Sequence, residues 1–199
     1  MGGRHGSRLA HSDMSLPLDT MVCMTRYVAL LRGINVGGHR RVAMADLRTL
    51  LDGLGYADVA THLQSGNAVF TAREADPGAV AETIRTAIGS ELALDVPTVV
   101  RTAGRLRSAV AANPLEVVDP AMFLVLFCST IPNDEVLAGI DLSRYPRERV
   151  AVVEDQFYTA HEQGLGYAGL PALLARRVDG VTTGRDWRTV LRLLEMAEG

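Results

Sequence analysis

The sequence predicts an α+β fold. Short strand-like runs rich in β-branched residues alternate with segments whose apolar residues recur at helical spacing, and residues 25–101 present them as strand, helix, strand, strand, helix, strand. That order is the split βαβ pattern of ferredoxin-like domains. The length of 199 residues and 48% hydrophobic composition suit one sizeable domain or two small ones. At this size folding buries about 70% of the unfolded chain's surface, so neither a metal nor a disulfide is needed for stability.

Residues 25–31 read as a buried first strand that closes on Gly33. A loop rich in glycine and arginine follows, and Leu47, Leu50, Leu51 and Leu54 then fall on one face of a helix that Gly55 ends. Residues 58–62 and 66–72 form two strands around the turn Gln64-Ser65-Gly66-Asn67. Asp76 and Pro77 are an N-cap and N1 pair opening a second helix, with Val80, Ile84 and Ile88 inward. Residues 96–101 supply the fourth strand.

From Thr102 a cap leads into a helix with Leu106 and Val110 inward, stopped at Asn113-Pro114. Residues 122–129 are a central-type strand, 133–135 start a short helix, and 150–154 with 157–161 form a hairpin over Asp155-Gln156. A helix within 168–178 properly begins at Pro171. The last helix runs from Asp186 to about Ala197, with Trp187, Val190, Leu191 and Leu194 on one face. The expected organisation is a disordered leader over residues 1–23, a ferredoxin-like half over 24–101, and a less regular α+β half over 102–199 packed on the first. No residue-level repeat relates the halves.

All 20 basic residues are arginine. Schiff-base lysine chemistry, a Walker-type phosphate lysine and a lysine general base are therefore excluded. The net charge of −3 gives no global case for nucleic acid or an anionic membrane, and no apolar run approaches the length of a membrane span. Cys23 and Cys128 provide neither metal spacing nor a disulfide framework, which points to a reducing cytoplasm. The five histidines are scattered, so neither a metal nor a cofactor is expected.

The first loop is the leading candidate site. Gly33, Gly37 and Gly38 permit backbone conformations that gather N–H groups, while Arg32, Arg40 and Arg41 supply guanidinium forks, so the loop suits one anion. The alternative is that the glycines only turn the chain and the arginines are solvated. Asn35 belongs to the loop, and Gln64 and Asn67 stand at its rim. His62 and Ser65 do not form a nucleophile elbow, and the Ser-Gly-Asn run is first a turn. Arg185, just before the last helix, is the remaining candidate for anion contact, with Trp187 as a core anchor. The clusters Arg101-Arg105-Arg107 and Arg144-Arg147-Arg149 read as solvated faces, and Glu154-Asp155 as an exposed turn.

The runs Leu-Leu-Arg-Gly-Ile-Asn-Val-Gly-Gly at 30–38, Val-Ala-Met-Ala-Asp-Leu-Arg at 42–48 and Gln-Ser-Gly-Asn-Ala-Val-Phe at 64–70 resemble the bacterial family catalogued as domain of unknown function 1697. The resemblance extends from residue 24 to the chain's end through Asn113-Pro114 and residues 183–190. It implies two ferredoxin-like halves with antiparallel sheets and implies no activity. Two positions depart from the family pattern: Ala43 replaces a proline and Asp186 an asparagine, which puts a ligand role for position 186 in doubt.

The leading expectation is a non-catalytic cytoplasmic protein that binds an anionic small molecule or a short nucleic acid, and no membrane. The alternatives are an enzyme for a phosphorylated or carboxylated metabolite in the same cleft, with arginines stabilising developing charge, and an assembly module. No catalytic constellation and no oligomeric state are read from the sequence.

Overall fold

The computed structural model describes Gly2 and residues 23–37, 40–73, 75–133 and 135–199. Gly38, Asp134 and all of the 1–23 leader except Gly2 and Cys23 lie outside the described residues. The first half contains β1 (Met24–Leu31), α1 (Met44–Gly53), β2 (Ala57–His62), β3 (Asn67–Arg73), α2 (Pro77–Leu92) and β4 (Thr98–Thr102). Its strands form an antiparallel sheet in the order β2-β3-β1-β4. Side chains alternate along a strand, so Tyr27, Ala29 and Leu31 join the core beneath α1 and α2, while Val28 and Leu30 enter a second core on the opposite face. Burial on both faces is why this strand reads as a continuous apolar run.

The second half contains α3 (Ala103–Ala111), β5 (Phe123–Cys128), β6 (Glu148–Val153), β7 (Gln156–His161), α4 (Leu170–Arg177), β8 (Thr182–Asp186) and α5 (Trp187–Glu198). Its antiparallel sheet has the order β6-β7-β5-β8, the first sheet's order with β5 in the place of β1. The chain is therefore two ferredoxin-like halves, each followed by one helix. Two sequence expectations change here. The short helix expected from residue 133 is replaced by turns over 135–139 and a 3-10 turn at Leu142–Arg144, and the polar run Thr182–Asp186 is a strand.

The second core joins the halves. Val28, Leu30, Val69 and Val99 of the first sheet meet Phe123, Val125, Phe127 and Tyr158 of the second, with Leu106 of α3 and Trp187, Val190 and Leu193 of α5 in the same cluster. Trp187 packs edge-to-face on Phe123, with ring centroids 5.2 Å apart.

The halves also repeat their register. Val28 pairs with Arg101 as Val125 pairs with Arg185, so the two arginines occupy equivalent positions on β4 and β8. The residues that follow them, Thr102 and Asp186, both cap helices. At the strand ends, Leu31 N donates to Gly66 O at 2.8 Å and Cys128 N donates to Asp155 O at 2.9 Å. The repeat invisible in side chains is thus present in backbone hydrogen bonding.

Candidate functional site

The loop after β1 is held by Asn35. Its Nδ2 donates to Val42 O at 2.9 Å and to Gln64 O at 2.7 Å, and its Oδ1 accepts from Val42 N at 3.0 Å. One side chain thus closes the loop on itself and ties it to the β2–β3 turn. Asn35 sits at φ 55°, in the left-handed region that asparagine tolerates better than most residues. Its amide is occupied by the backbone, which makes it a structural tie rather than a free ligand group.

The tie opens a cleft of about 460 Å³ lined by Asn35, Arg41, Val42, Ala43 and Gln64. Here α1 begins. Its N-cap is Ala43, which has no side chain to accept from the first-turn N–H groups. By contrast, Asp76, Thr102 and Asp186 cap α2, α3 and α5, and the Glu148 carboxylate accepts from Gly169 N and Leu170 N at the start of α4. Asp46 is the acidic residue of the first turn of α1.

Arg32, Arg40 and Arg41 are exposed, and none of the described ion pairs includes them. Arg85 holds the Asp95 carboxyl below its usual range, and Arg40 adds a smaller pull on the same group. Gly37 is exposed at φ 64°. Gly66 is required by packing: a Cβ there would stand 2.7 Å from Leu31 Cβ and from Ile34 Cδ1.

Asn67 and Arg185 are not at the rim. Asn67 is fully buried, donating to His62 O at 2.8 Å, and its Oδ1 accepts from Arg185 Nε. Arg185 is 7% exposed and gives its other donors to Thr183 Oγ1, Gly184 O, Leu31 O and Gly66 O at 2.7–3.1 Å. With every arm of the guanidinium taken by protein acceptors, Arg185 and Asn67 form the floor beneath the loop and leave the set of direct ligand contacts. Burial lowers the pKa of Arg185 to about 10, so it stays charged at neutral pH.

The equivalent Arg101 is also 7% exposed, contrary to the solvated face expected of its cluster. Its Nη2 donates to Cys128 O at 2.6 Å and pairs with Asp155 Oδ2 at 2.9 Å. Asp155 is accordingly a partly buried partner rather than an exposed turn carboxylate, and burial pushes the nearby Cys128 thiol up to about 11, which makes it unreactive. Gly66 stands where Asp155 stands in the other half, so Arg185 has carbonyls where Arg101 has a carboxylate. Further along, Arg188 lies 3.7 Å from Asp186 and Arg192 pairs with Glu195.

A family profile described as a protein of unknown function, DUF1697, matches residues 24–158. The chain belongs to this family. The match spans the loop and the cleft and ends within β7, before the Thr183–Val190 stretch. No functionally curated protein matches the DUF1697 chain in sequence. Among solved structures it is similar to the conserved bacterial protein SP0830 from Streptococcus pneumoniae, at TM-score 0.65 and 22% identity, over 88% of this chain and 99% of that one. That likeness establishes a shared fold. Among the described residues, no helix is long and apolar enough to cross a membrane, and no group of three or more His, Cys, Asp or Glu residues could hold a metal ion.

Proposed function

We propose that this DUF1697 protein binds a small phosphate-bearing anion in the loop cleft, as a cytoplasmic bacterial protein. Arg41 and the first-turn N–H groups of α1 contact the anion, Gln64 closes one side, and Arg32 and Arg40 stand outside as attracting charges. The observation that carries the reading is the α1 start without a side-chain cap, immediately after Arg41, Val42 and Ala43 of the cleft lining. A helix N-terminus and a guanidinium both favour negative charge.

Among the described residues, the cleft lining of Asn35, Arg41, Val42, Ala43 and Gln64 carries no nucleophilic side chain, and its guanidinium suits the binding of an anion. Among the described residues lining it there is no aromatic ring for the stacking that single-stranded nucleic acid uses, so a small ligand is favoured. Titration of the full chain with inorganic pyrophosphate and with an eight-nucleotide oligothymidylate at two salt concentrations separates the two. Pyrophosphate binding supports the reading; oligonucleotide binding with a steep salt slope and none of pyrophosphate would replace it with a nucleic-acid interface.

A further inference from the structure

Away from the loop, the C-terminal half carries a second recess of about 350 Å³. Its floor is Glu148 and His161, register partners on β6 and β7, with side chains 11% and 1% exposed. The Glu148 carboxylate accepts from Gly169 N at 2.8 Å and from Leu170 N at 3.1 Å, and its Oε2 lies 2.9 Å from His161 Nδ1. His161 Nε2 is bonded to Thr159 Oγ1 at 2.8 Å. The one carboxylate lining the recess is thus already held by a helix start and an imidazole.

The rim is different in character. Arg144 and Arg147 are both exposed, and no described ion pair includes either. Tyr145 is packed so closely on Gly169 that a Cβ there would lie 2.7 Å from its ring, while Tyr167, at 83% exposure, presents its ring to solvent at the mouth. An aromatic surface of that size left in water beside two exposed guanidinium groups matches a ligand that is planar at one end and anionic at the other.

We propose that this recess binds a nucleoside monophosphate, with the phosphate on Arg144 and Arg147 and the base stacked on Tyr167. Stacking on a tyrosine accepts any base, and paired guanidinium groups fit a terminal phosphate bidentately, so the arrangement selects the phosphate and the ring rather than one nucleotide. The recess shares no lining residue with the loop cleft.

Calorimetric titration of the full chain with AMP and with ribose 5-phosphate tests this. AMP should bind about tenfold more tightly than ribose 5-phosphate, because only AMP carries a base to stack. Tyr167→Ala should reduce AMP to the affinity of ribose 5-phosphate, and Arg147→Ala should weaken both. Equal affinity for the two ligands, indifference of AMP to Tyr167→Ala, or indifference of both ligands to Arg147→Ala would overturn the proposal. Tyr167 and Arg147 are both exposed, and the melting temperature of each unliganded variant verifies that it is folded.

Discussion

The Arg185 guanidinium on β8 donates to the Leu31 carbonyl at the end of β1, 2.8 Å away, so the last strand of the chain fixes the residue from which the glycine and arginine loop departs. Its mirror image is Arg101 on β4, which donates to the Cys128 carbonyl at the end of β5 at 2.6 Å. Each half therefore holds the other's first strand by one buried arginine. The loop of the N-terminal half rests on a floor supplied by the C-terminal half.

Replacing Arg185 should damage both the fold and the cleft. Arg185→Met keeps the bulk but leaves the Leu31, Gly66 and Asn67 acceptors without their donor, at an expected cost of about 3 to 5 kcal/mol in urea unfolding. A loss below about 1 kcal/mol would show that the clamp is incidental.

Asp155→Asn tests the other clamp. The Arg101 charge stays buried while its carboxylate partner is neutralised, which should cost about 3 kcal/mol, and Arg105 also loses its 3.2 Å partner. A neutral outcome would mean that the Cys128 carbonyl alone satisfies Arg101.

Trp187→Ala should cost about 3 to 5 kcal/mol, because the ring fills the core between the sheets and meets Phe123 edge-on. The same denaturation experiment measures it, with a value below 1 kcal/mol placing Trp187 outside the core.

Acidification should weaken the fold through His161. Burial lowers its pKa below 6.5 and the nearby Glu148 opposes this more weakly. The unfolded imidazole takes up its proton near 6.5 and the folded one only at lower pH, so the unfolded state binds more protons in between. The stability is complete above pH 6.5 and falls as the pH drops below it, by at most about 1.4 kcal/mol per pH unit from this group. Comparing urea unfolding of the parent and His161→Gln at neutral and mildly acidic pH checks it: the parent should lose more, and parallel losses would exclude His161.

The apolar elements were legible because their periodicity is set by burial, as with Val80, Ile84 and Ile88 in α2 or the unbroken run of β1. The Thr182–Asp186 strand was not, since its side chains are polar and it is a strand only because β5 offers an edge and Thr183 and Arg185 find hydrogen-bond partners across the halves. For the same reason Asn67 and Arg185, read as ligand contacts, are buried supports. Polar composition reports that a group needs a partner without saying whether the partner is protein. Arg41 and Gln64 do line the cleft, but Asn35, read as a ligand contact, is a tie to a carbonyl 29 residues along the chain, which no local pattern reports. The contribution of the α1 start was visible only as Ala43 in a capping position.

The most direct test of anion binding in the loop cleft is calorimetric titration of inorganic pyrophosphate into the full chain and into its Arg41→Ala variant. Pyrophosphate should bind the parent, and Arg41→Ala should lose at least about tenfold in affinity, the scale of one charge-assisted contact, with its melting temperature unchanged. Equal affinity in the parent and Arg41→Ala, or no binding by the parent at millimolar pyrophosphate, would contradict an anion site at the start of α1.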